Sequence, residues 1–386
     1  MLDFEYYVPT RIIFGRDRIK NLSSEIRKYA DRVLVLYGGG SIKRFGLYEK
    51  VIKILDQDDI FYCELSGVKP NPRIKQVRKG VDLCRENNLK LILAVGGGST
   101  IDCAKAISAG ACYEGDPWDF FIGKSDVKEA LPIGSILTLS ATGSEMNGNT
   151  VISNEEVQLK LPLHSELLRP RFSILDPMYT YTVPEIQTAA GTVDIFSHIC
   201  EQYFSPVKDT YVEDRLAEAL FKTCIKFGPV AVKEPDHYDA RANLMWASSL
   251  ALNGLISCGK PGDWATHFIE HAVSAVYDVT HGVGLAILTP HWMEYVLEKD
   301  TLWRFVEYAK NVWDLDSDDE LELAREAITK TREFFSELGM PCNLSEVGVD
   351  DSRIADLVDK AMLLPEIGVY KKLNRNDVRK ILEMAM

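Results

Sequence analysis

Residues 267–271 read His-Phe-Ile-Glu-His, and a third histidine stands at 281. Zinc peptidases use the H-x-x-E-H spacing on a helix, where two imidazoles grip the metal and the glutamate acts as base. A second pair of ligand-type residues lies upstream. Asp194 and His198 are four apart in a helical pattern, so they share one face and can close on a single cation. His267 and His281 add two more imidazoles. Three nitrogens and one carboxylate oxygen suit Fe²⁺ or Zn²⁺ better than Mg²⁺ or Ca²⁺. Only seven histidines occur in the chain. His164, His237 and His291 have no partner at ligand spacing and read as structural or surface residues.

A second kind of chemistry is written in glycines. Leu91–Val95 is an apolar β-type run followed by Gly96-Gly97-Gly98-Ser99, and Arg32–Tyr37 is followed by Gly38-Gly39-Gly40-Ser41. A glycine turn between a buried strand and a helix lets backbone N–H groups approach a phosphate. Neither turn is G-x-G-x-x-G, but two such turns in one sheet point to a dinucleotide. Gly123-Lys124-Ser125 imitates the end of a P-loop, yet Trp118 stands where that motif needs glycine.

These groups need elements to hold them. Up to residue 183 the chain alternates apolar runs with helical patterns such as Ile74–Asn87 and Thr100–Ala109, and Pro132–Leu139 reads as a further strand. That rhythm means a parallel α/β sheet. From Pro184 helical spacing dominates: 184–204, 209–227, 239–257, 264–277, 301–313 and 318–338. Thr182 is a possible cap for the first of these. The expected organisation is an α/β domain at 1–183 and a helical domain at 184–386. The acidic cluster Asp314–Glu322 reads as a solvated helix start.

With 386 residues the chain can bury large cores. Its net charge of −13 argues against nucleic acid or anionic lipid as partner. Eight cysteines form no C-x-x-C, no signal peptide is evident, and no apolar stretch is long enough to span a bilayer. The expectation is a cytoplasmic protein without a membrane partner.

The chain resembles the iron-containing (group III) alcohol dehydrogenases along essentially its whole length. The resemblance rests on Gly96-Gly97-Gly98-Ser99-x-x-Asp102-x-Ala104-Lys105, Pro70-Asn71-Pro72, Ala141-Thr142-Gly143-Ser144-Glu145, Arg169-Pro170-Arg171 with Asp176-Pro177, Asp194-x3-His198 and His267-x3-His271-x9-His281-Gly282. Tyr37–Lys43 and Leu167–Phe172 are similar to segments of bacterial butanol dehydrogenases and NADPH-dependent aldehyde reductases. The resemblance implies a Rossmann-like dinucleotide-binding domain, an all-α domain in a dehydroquinate synthase-like architecture, and an active site in the cleft between them. It implies metal ligands at Asp194, His198, His267 and His281, with His271 near the nicotinamide as a proton relay. Glu270 then takes a supporting role or another face. The family usually has small residues between the two histidines, where this chain has Phe268, Ile269 and Glu270, a departure that bears on pocket shape.

The cofactor phosphates are expected on Gly97, Gly98 and Ser99, with Asp102 nearby. By the resemblance, Gly38, Gly39, Ser41, Asn71, Thr138, Thr142, Asn147, Lys160, Tyr179 and Thr182 complete the cofactor site. No carboxylate follows the second strand, and Lys43 and Arg44 stand just beyond it, which favours NADP(H) while NAD(H) remains possible. Phe196, Trp246, Trp264 and Phe268 would suit a short uncharged aldehyde of the butanal type, or plain core. The resemblance also implies a homodimer, with Phe4–Phe14 as an exchanged or paired strand. The rival functions are a polyol dehydrogenase of the same superfamily, a dehydroquinate synthase-like lyase, an H-x-x-E-H zinc peptidase and a non-catalytic binding protein.

Overall fold

The computed structural model describes residues 1–44 and 46–386. They form two compact units, one of Tyr7–Val183 with Pro235–Ser249, the other of Met1–Tyr6, Pro184–Glu234 and Leu250–Met386. Two segments thus depart from a single break at residue 184. Residues 235–249 belong to the first unit because Trp246 packs edge-on to Phe14, and because Ser248 and Ser249 hydrogen-bond residues of the 141–145 loop. Residues 1–6 belong to the second, where the Leu2 N–H donates to the Gly259 carbonyl at 2.8 Å.

Among the described residues the first unit carries eight strands: β1 (Arg11–Phe14), β2 (Arg32–Tyr37), β3 (Phe61–Leu65), β4 (Leu91–Gly96), β5 (Ile133–Leu137), β6 (Asn149–Asn154), β7 (Leu159–His164) and β8 (Phe172–Leu175). β6 and β7 form an antiparallel hairpin, and the rest form one parallel sheet in the order β1-β8-β5-β4-β2-β3. Alternate residues of β2 enter two separate cores, Leu34 and Leu36 one, Val33 and Val35 the other. That two-sided burial explains why the run is apolar throughout. From β2 the chain moves outward to β3, then returns past β2 to β4. Strand direction of travel therefore reverses between β2 and β4, and ligands of open α/β sheets bind at such a point. The register Tyr37↔Val95 brings the two glycine turns side by side there.

In the second unit the main helices are Glu185–Tyr203, Tyr211–Lys233, Ala265–Tyr277, His281–Val296, Leu302–Val312 and Glu320–Glu337. Thr182 does not cap the first; Pro184 occupies the N-cap position. The helical stretch at 239–257 is shorter than its spacing suggests: the helix is Tyr238–Ala251, ending before Gly254, whose φ is 98°. Phe196 is fully buried, with ring centroids 4.6–5.5 Å from Phe221, Phe334 and Phe335. It is core, not a pocket wall, whereas Trp246 is exposed and packs edge-on to Phe14. Asp319 caps the helix of the acidic cluster by accepting the Leu321 and Glu322 N–H groups. No helix among the described residues is long and apolar enough to cross a membrane.

Candidate active site

Asp194 and His198 sit on successive turns of the helix Glu185–Tyr203, both buried. His267, Glu270, His271 and Ser274 occupy positions i, i+3, i+4 and i+7 of the helix Ala265–Tyr277, so they line one face. Asp263 starts this helix by accepting the Ala265 N–H at 3.1 Å. Asp278 ends it in a left-handed conformation, and Ser274 Oγ lies 2.9 Å from the Val279 carbonyl oxygen. The next helix opens with His281. Gly282 lets that helix lie against the first, since a Cβ there would come within 2.0 Å of the Ala190 carbonyl oxygen. Ala190 is one turn before Asp194, and the close approach brings His281 Nε2 to 3.6 Å from Asp194 Oδ1.

Asp194, His267 and His281 each offer a ligand atom within 4.8 Å of the other two. His198 stands beside this triad, its Nδ1 3.5 Å from Asp194 Oδ1 and its ring centroid 4.8 Å from that of His267. Burial, then the neighbouring His267 and His281, hold the His198 pKa well below the usual imidazole value. The neutral form so favoured is the one that binds metal.

Two carboxylates orient the imidazoles. Glu201 Oε1 lies 3.0 Å from His267 Nδ1 and also accepts the His267 backbone N–H at 3.0 Å. A carboxylate so placed takes the Nδ1 proton and leaves the lone pair on Nε2. His267 Nε2 is buried and has no hydrogen-bond partner among the described residues. A buried bare lone pair next to Asp194 is suited to a cation. Glu270 treats His281 in the same way: Oε2 takes Nδ1, while Oε1 takes the Ser274 hydroxyl. Glu270, His271 and His281 also converge within 4.8 Å. Both Glu270 oxygens are engaged, one by His281 and one by Ser274, so Glu270 orients His281.

The H-x-x-E-H stretch therefore does not have a peptidase arrangement. His267 turns to Asp194 and His281, and Glu270 does not lie on another face but holds His281 from behind. Glu201 is a site residue that the spacing argument overlooked, although it lies seven residues after Asp194 and so on the same helix face. Glu270→Gln keeps one acceptor oxygen, so metal affinity should fall by about tenfold, the low end for such partners. Activity should return when metal is added in excess; a variant with unaltered metal affinity would show that Glu270 does not tune His281.

The expected cofactor residues gather at the C-terminal ends of the strands. Gly38, Gly39 and Ser41 follow β2, Gly97, Gly98 and Ser99 follow β4, Thr138 and Thr142 follow β5, and Tyr179 and Thr182 follow β8. Gly97 is the N-cap of the helix Gly98–Ala111. A Cβ on Gly98 would come within 2.2 Å of Thr142 Oγ1, so glycine here is what lets the β5 loop close onto the turn. Asn71 follows β3 with a φ of 51°, and Lys160 is buried on β7. Asp102 and Asn147 turn inward. Asp102 accepts from Ser144 Oγ at 2.6 Å and Val151 N at 3.0 Å. Asn147 Nδ2 donates to the Thr142 and Gly143 carbonyls, and its Oδ1 accepts from Lys105. Of the aromatics expected near the metal, Trp264 packs on His267 with ring centroids 5.3 Å apart, and Phe268 is half-buried on the same helix.

Known proteins resemble the chain in sequence and fold. Residues 9–177 match the model of the iron-containing alcohol dehydrogenases, and residues 188–386 match that of the C-terminal domain of the same family. The chain is 54% identical to NADH-dependent butanol dehydrogenase A of Clostridium acetobutylicum over the full length of both. It is 42% identical to the NADPH-dependent aldehyde reductase YqhD of Escherichia coli, again over the full length of both. Among solved structures, NADH-dependent butanol dehydrogenase A from Thermotoga maritima superposes with a TM-score of 0.96 at 42% identity, covering 100% of this chain and 99% of that one. With its parallel sheet, its paired glycine turns and its Asp-His cluster, the chain belongs to the iron-containing alcohol dehydrogenase family and is an NAD(P)H-dependent oxidoreductase acting between alcohol and aldehyde.

Proposed function

We propose that the substrate is a short uncharged aldehyde of the butanal type, reduced to its alcohol, with one divalent metal, Fe²⁺ or Zn²⁺, at Asp194, His198, His267 and His281. The observation that carries this is the buried Nε2 of His267, without a hydrogen-bond partner among the described residues, beside Asp194 and His281. Bound there, the metal supplies Lewis-acid polarisation of a carbonyl and the nicotinamide supplies the hydride. Glu201 and Glu270 keep the His267 and His281 lone pairs aimed at one point. Gly97, Gly98 and Ser99 hold the cofactor phosphates, with Thr138, Thr142, Tyr179 and Thr182 around them. The His271 imidazole, its ring centroid 5.5 Å from that of His281, would pass a proton to the carbonyl-derived oxygen, which becomes the product hydroxyl. The eight free cysteines suit a reducing, cytoplasmic setting. Butanal reduction followed by loss of NADPH or NADH absorbance, before and after chelation, tests the proposal. Chelator-sensitive turnover supports it. No turnover with Fe²⁺ or Zn²⁺ resupplied, but oxidation of glycerol, would move the assignment to a polyol dehydrogenase.

The turn after β2 favours NADP(H): Gly39, Gly40 and Ser41 are exposed and carry no carboxylate. Lys43, however, is drawn over the rings of Tyr48 and Tyr37 at 4.5 and 5.4 Å, and Glu64 takes both tyrosine hydroxyls. With one relative named for NADH and another for NADPH, we assign use of both cofactors. A Cβ on Gly39 would meet nothing within 4 Å, and the residue is exposed, so a side chain there starts in open space. Gly39→Asp should therefore act by charge alone and lower kcat/KM for NADPH by about 10- to 100-fold with NADH little changed. An unchanged ratio would mean that the 2′-phosphate binds elsewhere.

A homodimer formed through the N-terminal segment completes the proposal. Met1, Leu2, Phe4, Tyr6 and Tyr7 are 42–65% exposed, and the edge strand β1 pairs only with β8 among the described residues. A monomer mass in sedimentation at micromolar concentration would refute it.

A further inference from the structure

Lys105 is a wholly buried lysine on the helix Gly98–Ala111, two turns from the phosphate turn. Its Nζ donates to Ser144 Oγ at 2.8 Å, Asn147 Oδ1 at 2.9 Å and the Asn149 carbonyl at 2.7 Å. All three acceptors belong to the loop between β5 and β6 or to the first residue of β6. Their roles are fixed by their other bonds. Ser144 Oγ gives its proton to Asp102 Oδ1, and the Asn147 amide nitrogen donates to the Thr142 and Gly143 carbonyls. Neither group can donate back to Lys105. Three acceptors need three N–H bonds, which an ammonium has and a neutral amine lacks. The same loop carries Thr142, whose side chain meets the Gly98 turn.

We propose that the Lys105 ammonium is a positioning residue for the dinucleotide: it clamps residues 144–149 onto the phosphate-turn helix and so places Thr142 against Gly98. The inference rests on the assignment of this turn to the cofactor phosphates. It also gives Asp102 and Asn147 a role other than direct contact, as the two ends of the clamp. Burial lowers the Lys105 pKa to about 7, against the opposing pull of Asp102 on its own helix and Glu145 in the loop, with Arg169 adding to the lowering. His164 on β7 feels the same charge. Losing the proton removes one of three donors, so cofactor binding should weaken as pH rises through neutrality.

The test is direct binding of NADPH and NADH to the metal-loaded protein without aldehyde, followed by cofactor fluorescence, for wild type and Lys105→Met. The methionine variant should bind at least about tenfold more weakly, with metal content unchanged. Its Kd should no longer vary with pH between about 6 and 9, whereas the wild-type Kd rises over that range. A folded Lys105→Met protein with wild-type affinity and pH profile overturns the proposal. Should that variant not fold, Ser144→Ala, which removes one acceptor, decides: a several-fold loss supports the clamp and an unchanged Kd overturns it. Failure of the wild type to bind either cofactor would instead overturn the nucleotide assignment itself.

Discussion

His267→Ala is expected to yield protein without bound metal and with aldehyde reduction lowered about 10³-fold. A Lewis acid on the carbonyl is worth several kcal/mol, and each ~1.36 kcal/mol is a factor of ten. His267 is the proposed ligand whose loss should do most, because it is fixed twice over. Glu201 holds both its ring Nδ1 and its backbone N–H, and its Nε2 lies beside Asp194 and His281 with no hydrogen-bond partner among the described residues. The missing imidazole cannot be replaced in that role by His271, which lies on the next turn with its ring centroid 6.3 Å from that of His267. The substitution also takes the ring N–H from the buried Glu201 carboxylate and leaves it only the backbone N–H of residue 267, at a cost of about 1–3 kcal/mol to stability. Metal per chain, kcat and the unfolding midpoint should therefore fall together, while NAD(P)H binding measured by fluorescence persists. Activity within a few fold of wild type in demonstrably metal-free protein would end the proposed metal role.

The sequence reveals the elements whose burial is one-sided or strictly strand-like, and hides those without a pattern. β2 and β4 are legible because nearly every residue is apolar, and the turns after them because glycine runs are rare. The helix His281–Val296 is not legible because it is apolar on almost every face and contains Pro290, leaving no 3.6-residue contrast. Asp194 and His198 are legible as a local pair, and Glu201 could have been found by carrying the same face one turn further. The meeting of His281 with Asp194 is different in kind. It depends on Gly282 against Ala190, a contact between helices that no spacing within one helix encodes. The inward turn of Asp102 and Asn147 is hidden for the same reason: their partners, Ser144 and Lys105, become neighbours only when the β5 loop folds onto the helix.

Gly98→Ala should raise the KM for cofactor by up to about 100-fold while metal content stays at the wild-type level. The added methyl would lie 2.2, 2.5 and 2.9 Å from Oγ1, Cγ2 and Cβ of Thr142. All three side-chain atoms are struck, so rotating the β-branched side chain about χ1 gives no relief. Nor can the loop retreat freely. Thr142 Oγ1 accepts the Ser144 N–H at 3.2 Å, its carbonyl accepts from Asn147, and Ser248 Oγ accepts the N–H groups of Ala141 and Gly143. Overpacking of this kind costs about 1–3 kcal/mol, which sets the upper bound on the fold-change. The double variant Gly98→Ala/Thr142→Ala separates two causes. If the clash with Thr142 is responsible, the second substitution restores most of the lost affinity, less the contribution of the threonine hydroxyl. If the methyl instead keeps the phosphate from the backbone N–H groups, the double variant binds no better than the single one. A single variant with wild-type cofactor KM would show that the phosphates do not approach this turn at all.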